Sequence, residues 1–199
     1  MINAYNFMDG IDGIAGSQAV VAGAGWFILG VLADVPAVAG LGLVLAASSI
    51  GFLIHNWHPA SIFMGDVASG FLGYMFAILP LMQGGDNSHG ATVLPGVLLV
   101  WPFLFDTILT FMRRLRNGED VFAAHRSHLY QRLVISGLSH QTVTLLYAGL
   151  ASLGLIFVLI AQWQPVAYLA AITMVVFCSV NLMLFVYKRE TANHANLRR

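Results

Sequence analysis

The sequence predicts an all-α fold, a polytopic transmembrane helical bundle of about six spans. Three observations carry this expectation. The 199 residues are 58% hydrophobic and only 9% charged, with a mean hydropathy of +0.79, whereas soluble domains carry about 25% charged residues. Apolar stretches recur near the ~20 residues that a helix needs to cross a bilayer. No stretch alternates apolar and polar residues with period two, which argues against a β-barrel.

The spans are expected in order at 17–34, 37–54, 67–83, 92–112, 141–161 and 165–187. The first and third are short and glycine-rich. Pro36 and Pro165 mark tight turns between spans, and Gly84 to Gly90 is a polar loop. Together they make one integral membrane domain over 1–199, ending in a basic tail over 188–199. The single cysteine, Cys178, lies in an apolar run and reads as a core or lipid-facing residue. No cleavable signal pattern opens the chain.

The cations set the sidedness. Arg113, Arg114, Arg116, Arg126 and Arg132 lie between the fourth and fifth spans, and Lys188, Arg189, Arg198 and Arg199 follow the sixth, which accounts for all nine Lys and Arg. The loops around Asp34, Asp86 and Gln164 carry none. By the positive-inside rule the cation-bearing side is cytoplasmic, which puts both termini there. That gathers three polar segments on one face: 1–16, 55–66 and 113–140.

Each segment carries candidate chemistry. In the first, Asn6, Asp9 and Asp12 are spaced three apart, and helical spacing would place one amide and two carboxylates on a shared face. The plainer reading is a helix N-terminus whose acids favour the dipole. In the second, Asp66 follows Phe63-Met64-Gly65 and suits a hard cation such as Mg²⁺. Phe63 offers a ring to stack on a base or sugar, against the plainer role of packing. His55 and His58 are two ligands, too few for zinc. In the third, His125, Arg126 and His128 form a donor group fit for a phosphate or pyrophosphate, while Arg113, Arg114 and Arg116 read as topology-fixing arginines at the membrane surface. Asp106, inside the fourth span, is a functional candidate by its depth, or the partner of a nearby arginine. Acids for a metal, bases for phosphates and a membrane at hand suit phosphoryl transfer onto a lipid. Nothing points to nucleic acid.

The stretches Asn3 to Ala15 (Asn-x-x-Asn-Phe-Met-Asp-Gly-Ile-Asp-Gly-Ile-Ala), Pro59 to Ser69 (Pro-Ala-Ser-Ile-Phe-Met-Gly-Asp-Val-Ala-Ser) and His125 to Leu133 (His-Arg-Ser-His-Leu-Tyr-Gln-Arg-Leu) resemble the polyprenyl-phosphate N-acetylhexosamine-1-phosphate transferases, glycosyltransferase family 4. The third looks like the branch that starts O-antigen and related surface polysaccharides. The resemblance implies transfer of a sugar-1-phosphate from a UDP-N-acetylhexosamine to undecaprenyl phosphate in the bacterial inner membrane, with Mg²⁺ and release of UMP. It implies Asp66 as the Mg²⁺ ligand and Asn6, Asp9, Asp12 and Phe63 around the nucleotide. His125, Arg126 and His128 would contact pyrophosphate or sugar, and the analogy suggests a homodimer.

Two departures stand out. Ala68 replaces a glycine usual in the second motif. The family's early Asp-Asp motif has no counterpart, since no such pair occurs in the chain. The expectation is a chain matching the C-terminal 60% or so of a family member, either a truncated fragment or a subunit that needs the missing half. CDP-alcohol phosphotransferases, which need an Arg soon after the first Asp-Gly, fit poorly because the first Arg is Arg113. A transporter fits poorly because the polar residues gather at one face rather than at mid-membrane.

Overall fold

The computed structural model describes residues 1–84, 89–120 and 126–196, and among these it is all helix and turn, with no strand. The helices run in order: α1 (Ile2–Phe7), α2 (Ile14–Leu32), α3 (Pro36–Asn56), α4 (Gly65–Gln83), α5 (His89–Leu99), α6 (Trp101–Arg116), α7 (Leu129–Ile135), α8 (His140–Ala161) and α9 (Ala167–Asn196). Five of them, α2, α3, α4, α8 and α9, are long and apolar enough to cross a bilayer singly. The pair α5 and α6 makes a sixth candidate bent by 81°. The chain is therefore the polytopic bundle that its composition predicts. Apolar side chains such as Ile54, Val67 and Phe177 stand more than two-thirds exposed, which suits a surface bathed in lipid rather than water.

One expectation about elements needs correction. The fourth span, read as one helix over 92–112, breaks at Val100. Pro102 has no N–H to give to the carbonyl of Leu98, so the helical ladder cannot run through. The bundle absorbs a carbonyl freed there: Gln18, buried on α2, donates its Nε2 to Leu99 O at 2.8 Å. Trp101, which opens α6, ties the break to α8 by donating its indole N–H to Leu150 O at 3.0 Å. Irregular backbone at membrane depth is tolerated only where protein covers it in this way. At the C-terminus, α9 carries its helix through the first residues of the basic tail, Lys188 and Arg189, to Asn196.

α2 and α3 pack backbone to backbone. A Cβ on Gly42 would stand 2.4 Å from Phe27 N, and one on Gly23 would stand 2.8 Å from Ala46 N, so small residues set the approach of these spans. Short α1 lies against α4. Its Tyr5 is fully buried between Phe76 and Phe103, with ring centroids 5.7 and 5.1 Å away, and its hydroxyl donates to Ala15 O at 2.7 Å.

Contacts between distant residues determine which helix ends share a side. Asn6 meets Asp66, Asp12 meets His58 and His140, Tyr130 meets Phe7, and Arg132 meets Glu190. The start of α4, the starts of α7 and α8 and the late turns of α9 thus lie at one end of the bundle, with the loop 8–13 between α1 and α2. α4 leaves that end and α6 returns to it, so α5 and α6 together make one crossing. With α5 and α6 counted as one span the described helices make six candidate crossings, and the polar segments converge as the sequence predicts.

Candidate functional site

The centre of the polar end is the loop from Met8 to Gly13. The expectation that Asn6, Asp9 and Asp12 share one helix face does not hold. α1 stops at Phe7, Gly13 takes the left-handed conformation at φ 78°, and α2 starts only at Ile14. The glycines explain the break. Gly13 sits where an L side chain would be strained. A Cβ on Gly10 would stand 2.1 Å from the Tyr130 hydroxyl. The loop is pinned from several sides. Tyr130 donates to Phe7 O at 3.0 Å, Thr144 donates to Asp12 O at 2.7 Å, and buried Asn56 accepts from Gly13 N at 2.9 Å while donating to Ile62 O at 2.9 Å. The same three residues therefore separate onto two sides of a turn.

On the first side, Asn6 donates its Nδ2 to Asp66 Oδ1 at 3.0 Å and lies 2.9 Å from Ser69 Oγ. Asp66 stands exposed in the first turn of α4, where the helix dipole favours an anion. Asp9, in the loop after α1, lies within the field of Asp66. Burial, with the Asp66 charge adding to it, pushes its carboxyl up to about 6. Two carboxylates in each other's field, one of them steadied by an amide, suit a hard dication that takes one or two carboxylates and completes its shell with water and phosphate.

On the second side, His58 Nδ1 lies 2.6 Å and His140 Nδ1 3.3 Å from Asp12 Oδ2, and Ala60 N donates to the same oxygen at 3.3 Å. Burial pushes Asp12 up, but the hydrogen bonds from His58, Ala60 and His140 outweigh it and hold the carboxyl below its usual range. His58 therefore finds its partners in Asp12 and His140, while His55 is exposed. Sequence reading missed His140 because the signal is weak, a histidine opening the fifth span.

The third segment is anchored by Asp106. This acid is fully buried, and among the described residues its hydrogen-bond partners are not arginines, although its charge acts on Arg113. It accepts from the N–H groups of Leu129 at 2.8 Å and Tyr130 at 3.1 Å, and from the hydroxyls of Tyr147 at 2.6 Å and Thr110 at 3.2 Å. His128 Nδ1 lies 3.2 Å away. Asp106 thus satisfies the orphan N–H groups at the start of α7. His128 is the N-cap residue of α7, 3% exposed, with its ring 6.2 Å from that of Phe7. It is positioned beside the loop rather than displayed to solvent. Arg126 is exposed, and His125 lies outside the described residues. Phe63 is 77% exposed at the rim of an apolar cavity of about 410 Å³ between α3 and α4, with Phe52, Ala68 and Phe71 among its lining.

With this geometry in place, the comparisons with known proteins are informative. Residues 1–84, which contain the loop, Asp66 and Ser69, match the model of glycosyl transferase family 4. A probable undecaprenyl-phosphate N-acetylglucosaminyl 1-phosphate transferase of Bacillus subtilis is 38% identical over 140 residues, 70% of this chain and 39% of that protein. A decaprenyl-phosphate N-acetylglucosaminephosphotransferase of Mycobacterium tuberculosis is 35% identical over 178 residues, 77% of this chain and 44% of that protein. A phospho-N-acetylmuramoyl-pentapeptide-transferase of Gloeothece citriformis is 30% identical over 165 residues, 77% of this chain and 43% of that protein. The chain spans about two fifths of the length of the curated relatives it matches.

Proposed function

Because this chain belongs to glycosyl transferase family 4, we propose that it carries the nucleotide-sugar and cation side of an N-acetylhexosamine-1-phosphate transferase. The acceptor is a polyprenyl phosphate, undecaprenyl phosphate in a bacterial inner membrane, and the donor is a UDP-N-acetylhexosamine. The reaction joins a lipid-phosphate oxygen to the sugar-bearing phosphorus and breaks its bond to the UMP oxygen, and UMP leaves. It opens the assembly of a lipid-linked surface polysaccharide, with the O-antigen branch favoured by the His125–Leu133 motif. The names of the relatives favour N-acetylglucosamine as the sugar.

The observation that carries this reading is the Asn6–Asp66–Ser69 cluster, with Asp9 in the field of Asp66. Mg²⁺ bound there would neutralise phosphate charge and orient the donor. The residues of the chain do the rest. Asp66 would hold the ion, with Asp9 the second carboxylate. The Asn6 amide orients Asp66 by its hydrogen bond, and Ser69 steadies Asn6. Asp12 shapes the opposite wall of the loop toward the base. Arg126 and His125 would meet phosphate or sugar, and buried His128 holds their segment against Phe7. Phe63, exposed beside Asp66, offers a face to the uracil. The cation-rich end faces the cytoplasm, where nucleotide-sugars are present.

A second reading is favoured by the coverage of the relatives, that the site is completed by a segment which this sequence does not contain. One assay addresses both. The purified chain, alone and coexpressed with the unmatched portion of the Bacillus subtilis relative, is given undecaprenyl phosphate, Mg²⁺ and UDP-N-acetylglucosamine, and UMP is measured. Mg²⁺-dependent release that disappears in Asp66→Asn is the expected result. Release only on coexpression establishes the second reading, and no release from either preparation overturns the proposed activity.

A further inference from the structure

We propose that Asp12, His58 and His140 form a second cation site, selective for a transition-metal dication of the Zn²⁺ class and separate from the Asp9–Asp66 pair. Their ligand atoms all lie within 4.8 Å of one another, and they are the only such group of three or more among the described residues. They come from three distant parts of the chain: the 8–13 loop, the segment after α3, and the first residue of α8.

The geometry is close to what zinc requires. With arms of about 2.0–2.1 Å, tetrahedral Zn²⁺ spaces neighbouring ligand atoms by roughly 3.3 Å. His140 Nδ1 already stands 3.3 Å from Asp12 Oδ2. His58 Nδ1 stands at 2.6 Å and would open by about 0.7 Å to admit the ion. Both imidazoles bring Nδ1 within reach of the same oxygen, His140 Nδ1 also accepting from Asp12 N at 3.5 Å, and their ring centroids are 5.2 Å apart. The side chains of His58 and His140 are 40% and 32% exposed, so a fourth position is open to water.

The donor set discriminates between ions. Two imidazoles and one carboxylate suit zinc, while the all-oxygen Asp9–Asp66 pair suits magnesium. An outer layer fixes the ligands, as at metal sites generally. Thr144 Oγ1 donates to Asp12 O, Ala60 N donates to the Asp12 carboxylate, and Gln141 Nε2 donates to His58 O at 3.0 Å. A bound ion would staple the loop to the 57–62 segment and to α8, and so hold Asp9, three residues away, in place.

The test uses the full chain in detergent, stripped with chelator and then given ZnCl₂. After desalting, about one zinc per chain is expected in the unsubstituted protein and in Asp66→Asn. His58→Ala and His140→Ala should each lose affinity by more than the roughly 10–100-fold that outer-layer changes cost. Co²⁺ in place of zinc should give the intense visible bands of a tetrahedral ion. Carbethoxylation of the unsubstituted chain, mapped by mass spectrometry, keeps the proposal testable even if a variant fails to fold: Zn²⁺ should protect His58 and His140 and leave His55 reactive. No retained zinc, full retention in both histidine variants, or no protection of His58 and His140 overturns the proposal.

Discussion

Asp9 is a residue whose chemistry is set by its surroundings. Burial and the Asp66 charge lift its carboxyl to about 6, so below that pH it carries a proton that must leave before a cation binds the pair. We expect Mg²⁺ affinity to fall about tenfold per pH unit below about 6, and Asp9→Asn to remove that dependence; calorimetric titration across pH checks both. The folded state also holds this proton more tightly than the unfolded chain. In the cation-free protein, Asp9 therefore subtracts from stability as pH rises between its ordinary value of 3.8 and about 6. Gly10 is a second sensitive position, because a Cβ there meets the Tyr130 hydroxyl. Gly10→Ala should cost about 1–3 kcal/mol, and much of that should return in a Tyr130→Phe background, read by thermal melts in detergent. The sequence made Asn6, Asp9, Asp12 and Asp66 legible as polar residues that a membrane chain must justify. It did not show how they divide. Helical spacing put three of them on one face, whereas Gly13 and the bonds from Tyr130, Thr144 and Asn56 turn the chain between Asp9 and Asp12. Those bonds come from residues up to 132 positions away, beyond the reach of any local pattern.

At the scale of elements, α7 depends on α6. Its first N–H groups end on Asp106, and Tyr147 on α8 closes the same carboxylate. Asp106→Ala would leave several buried donors without an acceptor, at about 3 kcal/mol or more. We expect such a variant to release the 126–135 segment, read as faster tryptic cleavage at Arg126 and Arg132, while the spans stay protected. Cleavage unchanged from the parent would show that α7 is held by its packing alone. The sequence marked Asp106 as an unusual acid at depth, and its partner was open between a function and an arginine. It is instead an acceptor for backbone and hydroxyl groups, a role visible only once α6, α7 and α8 are assembled. The break between α5 and α6 was missed for a similar reason. Pro95 and Pro102 lie in an apolar run of ordinary span length, and a kinked helix and a broken one look alike until the freed carbonyl is traced to Gln18.

At the scale of the molecule, the hydropathy pattern carried most of the architecture, because crossing a bilayer imposes length and composition together. The number of crossings follows from long-range contacts, and it has a direct check. Cys178→Ala chains carrying one new cysteine at Asp34 or at Asn117, in sealed proteoliposomes, should label from opposite sides with an impermeant thiol reagent. Labelling from the same side would mean that α5 and α6 re-enter rather than cross. The bond from Gln18 to Leu99 adds an order of events. Its partners lie 81 residues apart, which a ribosome covers in roughly 4–16 s at 5–20 residues per second. For that interval α2 waits in the membrane with an amide that has not yet met its acceptor. Helices α3 and α4 therefore assemble beside an unfinished α2, and nascent chains halted before Leu99 should be removed by quality-control proteases faster than chains halted after it.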